Sequence, residues 1–163
     1  HKLPELLSAT GMLACGEDLG MVPDCVPGVM NQLGILSLEM TMMEKGRPWP
    51  SLSVCATSSH DSATLRMQYA ESHGGKDMPA SEVKGSLQWH MNSDSMLAIF
   101  PLQDYLAMDE SLRLKDFAAE RINEPANPAH HWCYRVHFNL EKLMEAEGLN
   151  AAVSEMVASS GRK

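Results

Sequence analysis

The sequence predicts an α/β protein whose strands form a parallel sheet. Short apolar runs of strand composition alternate with segments of helical composition along the 163 residues. Four strands interleaved with helices indicate parallel neighbours joined by right-handed crossovers. A complete (β/α)8 barrel needs about 250 residues, so the chain holds only about half of one. A small open α/β sheet is the alternative, but the sequence lacks the glycine-rich phosphate turn that usually marks such a sheet.

The individual elements follow from the apolar pattern and from the positions of glycine and proline. Strands are predicted at residues 11–15, 35–40, 52–56 and 96–100. Helices are predicted at residues 26–33, 63–72, 81–91 and 140–157, with a helical turn at 103–107 and a proline-rich loop at 123–128. Gly34 ends the first helix, and Ser81 is a candidate N-cap of the third.

Composition excludes several classes of partner. The net charge of −8 and the absence of a lysine and arginine cluster argue against nucleic acid. No apolar run approaches the ~20 residues that span a bilayer, so no membrane partner is expected. The four cysteines show no paired short spacing, which favours reduced thiols and a cytoplasmic location, with Cys15 and Cys55 in buried strands.

Neither a metal nor a cofactor is expected. The one histidine group that invites a metal hypothesis comprises His130, His131 and His137. It has no cysteine or carboxylate partner at the spacing of zinc ligands.

Two acidic motifs carry the functional signal, and each follows a predicted strand. Glu17 and Asp18 come after the first strand, and His60 and Asp61 come after the third. If these strands are neighbours in one parallel sheet, Glu17 and Asp61 lie at the same edge, where α/β folds place their chemistry. Paired carboxylates in one cleft favour chemistry on sugars.

Plainer interpretations of the same residues stay open. Glu17 and Asp18 could form a turn or helix-start pair, and Asp61 could cap the helix that follows it. Trp89 is expected to be buried packing, whereas Trp132 could either pack or stack on a sugar ring.

Four motifs in order resemble the 4-α-glucanotransferases, the amylomaltase or disproportionating enzymes that act on α-1,4-glucans. The resemblance covers residues 10 to 145 approximately, and the long loop after Asp61 is most like the maltose-using branch. Its motifs are Gly16-Glu17-Asp18-Leu19-Gly20, Ser59-His60-Asp61 with Thr64-Leu65-Arg66, Met96 to Phe100 with Gln103-Asp104, and Arg121 to Pro128 with His131-Trp132 and Tyr134-Arg135.

The resemblance implies a retaining transglycosylase on a (β/α)8 barrel, with α-1,4-glucans, maltose and maltooligosaccharides as its partners. Carried over by residue, Glu17 would be the general acid/base and Asp61 the stabiliser of the transition state. His60, Asp18 and Asn123 would bind substrate, with Asn123 near the acceptor.

The family's nucleophile is an Asp on the strand before Glu17, in an Arg-x-Asp context that residues 1–10 do not supply. Residues 1–163 are therefore expected to be the C-terminal portion of one catalytic domain, inactive without its N-terminal half. A noncatalytic carbohydrate-binding or scaffold remnant is the alternative.

Overall fold

The computed structural model describes residues 2–17, 20–42, 48–130, 132 and 134–162. Its elements are, in chain order, α1 (Lys2–Ser8), α2 (Cys25–Leu33), β1 (Ser37–Glu39), β2 (Ser53–Cys55), α3 (Leu65–Ser72), α4 (Ala80–Met91), β3 (Leu97–Ala98), α5 (Leu102–Leu106), a 3₁₀ helix (Phe117–Glu120), α6 (Glu141–Glu145) and α7 (Glu147–Ser159). The chain forms two compact units, the first made of His1–Ala56 with Ser93–Ile99 and the second of Thr57–Asn92 with Phe100–Lys163.

The first unit contains a parallel three-stranded sheet in the order β1-β2-β3. Ser37 pairs with Ser53 in the first ladder, and Val54 pairs with Leu97 in the second. All three residues of the central strand β2 are buried, as expected for a strand with a neighbour on each side. The predicted parallel α/β fold is therefore confirmed.

The first predicted strand, at residues 11–15, is reduced to one parallel bridge between Cys15 and Leu36. Two hydrogen bonds hold this bridge, from the Gly16 N–H to the Leu36 carbonyl at 2.8 Å and from the Leu36 N–H to the Ala14 carbonyl at 2.9 Å. Met12 and Leu13 are exposed, so nothing buries the rest of the run. Cys15 is likewise exposed, contrary to the prediction, whereas Cys55 is buried in β2.

The second unit is helical, and its elements differ from the sequence predictions at several positions. Pro79 precedes α4, and its carbonyl accepts the Val83 N–H at 3.1 Å, so the helix starts before Ser81. Trp89 is 55% exposed because α4 turns its other face inward. The predicted helix at 140–157 is divided at Ala146, whose ψ of 62° separates α6 from α7.

A leucine cluster forms the centre of one part of this unit. The cluster consists of Leu106 in α5, Leu149 in α7 and Leu112 in the segment between them, which are buried against one another. Such mutual burial of apolar side chains is the main stabilising term for short helices, which are marginal alone. The helix predicted from residue 63 begins at Leu65, with Thr64 at its N-cap position, so Asp61 does not cap it.

Candidate active site

Asp61 is the centre of a small polar site in the second unit. Its side chain is 45% exposed, yet both carboxylate oxygens have a neighbour within the site. Oδ1 accepts a hydrogen bond from Nδ2 of Asn123 at 2.6 Å, and Oδ2 lies 3.0 Å from Nε2 of His60. The structure therefore brings together three residues that the sequence had proposed for catalysis or substrate binding.

The loop that carries Asp61 is a tight serine-rich turn. The Ser62 hydroxyl accepts the Ser59 N–H at 2.9 Å, and the Ser59 hydroxyl accepts the Asp61 N–H at 3.3 Å. Serine hydroxyls that bond to nearby backbone groups favour turns over helix. This local chemistry explains why α3 starts beyond Asp61 and leaves the carboxylate free of the helix.

Gln68 and Asp104 form hydrogen bonds with residues at the ends of the same loop. The Gln68 side chain of α3 donates to the carbonyls of Thr57, at 3.1 Å, and of Ala63, at 2.8 Å. The Thr57 hydroxyl donates to the carboxylate of Asp104, which is fully buried. The turn is thus fixed at its two ends by side chains of α3 and α5.

Asn123 lies on a loop that is also well ordered by hydrogen bonds. Its side chain is only 8% exposed, and its carbonyl accepts Nε of Arg121 at 2.9 Å. Nε2 of His130 lies 3.0 Å from the Ile122 carbonyl and closes the far end of the loop. The proline-rich segment predicted as a loop is therefore confirmed as one.

Trp132 provides an aromatic surface beside the carboxylate. Its ring centroid lies 4.8 Å from that of His60 at an interplanar angle of 38°, and the side chain is 62% exposed. An indole face that is held in place and open to solvent is suited to an apolar sugar face.

A buried charge network lies next to this site. Arg66 of α3 is completely buried, and its Nε and Nη2 atoms donate to the two oxygens of Asp77 at 2.8 and 2.6 Å. Its Nη1 forms an ion pair with Glu120, at the end of the 3₁₀ helix. Arg113 adds a second ion pair to Asp77. Charges this deeply buried are tolerated only when they are paired and hydrogen-bonded.

Burial acts to raise the pKa of every carboxyl group in this network and of the neighbouring Asp104. It raises the pKa of Glu120 to about 7, against the opposing charge of Arg66, and raises the pKa of Asp104 to about 6. Burial also acts to raise the pKa of Asp77, but hydrogen bonds from Arg66 and Arg113 outweigh it and leave that pKa below its usual range. Oε1 of Glu120 pairs with Arg66, whereas its Oε2 has no hydrogen-bond partner among the described residues.

Sequence reasoning missed this network. The sequence identifies Arg66 only as part of a motif and gives no indication that Asp77 and Glu120 are its partners. The one available signal is the position of this arginine at the start of the helix that follows Asp61. Its partners are 11 and 54 residues away in sequence, so spacing could not identify them.

Glu17 belongs to the first unit, just beyond the bridge between Cys15 and Leu36, and its side chain is exposed. A Cβ at the preceding Gly16 would lie 2.9 Å from Cε of Met30, so the chain passes close to α2 there. The prediction that Glu17 and Asp61 share one edge stays a prediction. Asp18, and His131 of the histidine group, lie outside the described residues.

In the part of the chain that the structure describes, no three His, Cys, Asp or Glu side chains are grouped to hold a metal ion. No helix among the described residues has the length and apolar character required to cross a bilayer.

The described residues therefore define an α/β protein with a parallel sheet in its first unit and, in its second unit, a carboxylate oriented by an asparagine and a histidine.

The family follows from comparison of the sequence with known proteins. The sequence model of the 4-alpha-glucanotransferase family, glycoside hydrolase family 77, matches residues 2–141, and the chain belongs to this family. It is 38% identical to the 4-alpha-glucanotransferase DPE2 of Oryza sativa subsp. japonica, over 98% of this chain and 20% of the rice protein. It is 28% identical to the 4-alpha-glucanotransferase of Chlamydia caviae, over 94% of this chain and 34% of that protein.

Solved amylomaltase structures share the fold. The enzyme from Streptococcus agalactiae, in complex with acarbose, superposes with a TM-score of 0.66 at 17% identity, over 91% of this chain and 32% of its own. The enzyme from Corynebacterium glutamicum gives a TM-score of 0.65 at 15% identity, over 94% of this chain and 30% of its own. These are TIM-barrel proteins, so the chain has the fold of part of such a barrel. It spans between a fifth and a third of the length of these relatives.

Proposed function

We propose that this chain is part of a 4-α-glucanotransferase that moves α-1,4-linked glucosyl or maltooligosaccharide units between glucans with retention of configuration. Membership of the family supports the reaction class. The observation that carries the proposal is Asp61, a half-exposed carboxylate oriented by Asn123 and His60. An ionised group fixed in this way can stabilise positive charge on a sugar without rearranging during the reaction.

The proposed mechanism has two steps. An enzyme carboxylate attacks the anomeric carbon while Glu17 protonates the leaving glycosidic oxygen, which gives a covalent glycosyl-enzyme intermediate. Glu17, now deprotonated, takes the proton from an incoming sugar hydroxyl, which attacks the same carbon and releases the enzyme carboxylate. The Asp61 carboxylate stabilises both oxocarbenium-like transition states electrostatically.

The attacking carboxylate is proposed to lie outside these 163 residues. The matching Arg-x-Asp pattern does not occur before Glu17 in this sequence. We therefore assign catalysis to a longer polypeptide, of which residues 1–163 form the C-terminal portion of a single catalytic domain. A cytoplasmic location stays a prediction from the cysteines.

The proposed substrates are α-1,4-glucans, with maltose among them. Three features support a sugar ligand: the open face of Trp132, its contact with His60, and the adjacent carboxylate. Aromatic faces and charged polar groups that converge in one place are typical of small-molecule sites. The streptococcal relative with the same fold holds acarbose, which makes acarbose a suitable probe.

The test is transfer from maltotriose by the longer polypeptide. We expect the wild-type protein to produce longer glucans, and Glu17→Gln and Asp61→Asn each to lower the rate by a factor of at least about 1,000. Glu145→Gln and Asp94→Asn, which change exposed carboxylates elsewhere, serve as matched controls with near wild-type rates. Full activity of Asp61→Asn would exclude the proposed mechanism.

A noncatalytic carbohydrate-binding remnant is the second candidate, because the exposed Trp132 could hold a sugar without any reaction. Isothermal titration with maltoheptaose separates the two candidates. A remnant binds the glucan and leaves it unchanged, and Glu17→Gln does not alter its behaviour.

A further inference from the structure

Two contacts join the segment that carries Asp61 to the segment that carries Asn123. Nδ2 of Asn123 donates to Oδ1 of Asp61 at 2.6 Å, across 62 residues of sequence. The buried ion pair of Arg66 and Glu120 spans 54 residues and joins the same two segments again, after Asp61 in one segment and before Asn123 in the other. The loop of Asn123 is therefore fixed to the loop of Asp61 at two points.

The Asn123 side chain is not free to turn toward solvent. It is 8% exposed, and the adjoining backbone is held by Arg121 and His130. Gln103 adds a hydrogen bond at 3.2 Å to the Glu120 carbonyl, just before the loop begins. Only the NH₂ group of an asparagine can donate to a carboxylate, so the contact also fixes which way the amide faces.

The contact determines the orientation of the Asp61 carboxylate. Asp61 is 45% exposed, and an exposed carboxylate rotates readily about its side-chain bonds unless a partner holds it. A hydrogen bond to an ionised oxygen is about twice as strong as one between neutral groups. His60 faces the other oxygen but is itself 46% exposed, so Asn123 is the more rigid of the two partners.

We propose that Asn123 is a positioning residue, whose amide holds the Asp61 carboxylate in its working orientation while the Arg66–Glu120 pair anchors the loop of Asn123. This differs from the expectation that Asn123 binds the acceptor sugar. The inference rests on the proposed function, in which Asp61 stabilises the transition state.

The first test compares Asn123→Ala with Asn127→Ala in the longer polypeptide, with maltotriose as substrate. Asn127 is the matched control, because it is an exposed asparagine of the same loop that contacts Glu124 and not Asp61. We expect Asn123→Ala to lower kcat about 100-fold, the scale of a misplaced catalytic group, with the acceptor KM within about threefold of wild type. Asn127→Ala keeps the wild-type kcat.

A second variant separates positioning from folding. Asn123→Asp keeps the size of the side chain but removes the donor at neutral pH. We expect its kcat to be as low as that of Asn123→Ala at pH 7.5 and to rise relative to wild type as the pH falls, because the new carboxyl group donates again once protonated. A merely structural role would not produce this pH dependence, and thermal unfolding shows whether each variant is folded.

Several results would overturn the inference. A raised acceptor KM with an unchanged kcat would make Asn123 an acceptor-binding residue, and an equal loss in Asn127→Ala would make the effect one of loop folding. Asp61→Asn in the same protein distinguishes failure of the positioning role of Asn123 from failure of the proposed function.

If Asp61→Asn abolishes transfer and Asn123→Ala does not reduce it, only the positioning role fails. If Asp61→Asn stays active, or the wild-type protein transfers no sugar, the proposed function fails and the inference with it.

Discussion

Arg66 shows how one residue can determine the geometry of a site that it does not touch. Its guanidinium is fully buried and pairs with Asp77 on one side and Glu120 on the other. The planar guanidinium of an arginine suits this double pairing, since its N–H groups point outward along different edges of one plane and reach two carboxylates at fixed angles. Because Arg66 follows Asp61 and Glu120 precedes Asn123, the pair joins the two segments that carry these candidate residues.

Removal of this arginine is expected to lower the free energy of unfolding strongly. Arg66→Met leaves Glu120 buried without its partner, and such losses destabilise a protein by about 3–5 kcal/mol. Lys84→Met is the matched control, because Lys84 pairs with Glu155 at 3.4 Å on the surface, where a pair contributes about 0–1 kcal/mol. Denaturant unfolding measures both free energies, and equal losses would contradict the assigned role.

The raised pKa of Glu120 predicts a pH dependence of stability. A carboxyl group whose pKa is about 7 when folded and about 4.3 when unfolded binds its proton more tightly in the folded state. This stabilisation is complete below about pH 4 and is lost as the pH rises through about 7. We therefore expect the Tm of the wild-type protein to fall between pH 5 and pH 8 relative to that of Glu120→Gln.

The comparison with Glu120→Gln isolates Glu120, because Asp104 and Asp77 are present in both proteins. Burial raises the pKa of Asp104 to about 6, so it adds a similar trend to both curves. A Tm difference that stays constant with pH would contradict the prediction.

At the scale of elements, glycine decides where α2 ends. Gly34 has a φ of 68° at the C-cap, and its N–H reaches the carbonyls of Met30 and Asn31. This left-handed conformation is open to glycine and strained for residues with a Cβ. The chain can then turn directly from α2 into β1.

Two substitutions in the same element should therefore act in opposite directions. Gly34→Ala is expected to destabilise the protein by about 1 kcal/mol, because an added Cβ is strained at this φ. Gly28→Ala, in the interior of α2, is expected to stabilise it by about 0.5–1 kcal/mol, since a Cβ there meets no atom within 4 Å. Denaturant midpoints measure both, and a loss from Gly28→Ala would show that α2 is crowded at that position.

At the scale of the whole molecule, the sheet exposes apolar side chains next to an edge strand. In the described part of the chain, β3 pairs only with β2, and Met96, Leu97 and Ile99 are 46%, 38% and 59% exposed. An edge strand with apolar side chains favours association with other chains. We expect the isolated 163-residue chain to self-associate and to transfer no sugar.

Sedimentation and calorimetry test this expectation. Ile99→Lys places a charge beside the edge and should shift the isolated chain toward monomer. Monomeric, cooperative unfolding of the unmodified chain would contradict the expectation, and so would transfer from maltotriose without any further segment.

Local sequence signals were sufficient for most elements of the fold. The strands at 37–39 and 53–55 lie inside predicted apolar runs, and α2 and α4 match the predicted helices within a residue at each end. The failures were of another kind. The exposure of Trp89 and the loss of most of the strand at 11–15 depend on which face of each segment packs against the rest of the protein. Local periodicity does not specify that face. Neither α1 nor the 3₁₀ helix was predicted.

By itself, the sequence determined the parallel α/β architecture and the family, and it proposed Asp61, His60 and Asn123 as candidate residues together with Glu17 and Asp18. The periodicity of apolar residues, the turn-forming residues and the order of the motifs can all be identified in the sequence without a structure. Only the tertiary structure decided that Asn123 holds Asp61 and that Arg66 lies buried between Asp77 and Glu120. Contacts between residues far apart in sequence, and the burial that shifts their pKa values, exist only once the chain has folded.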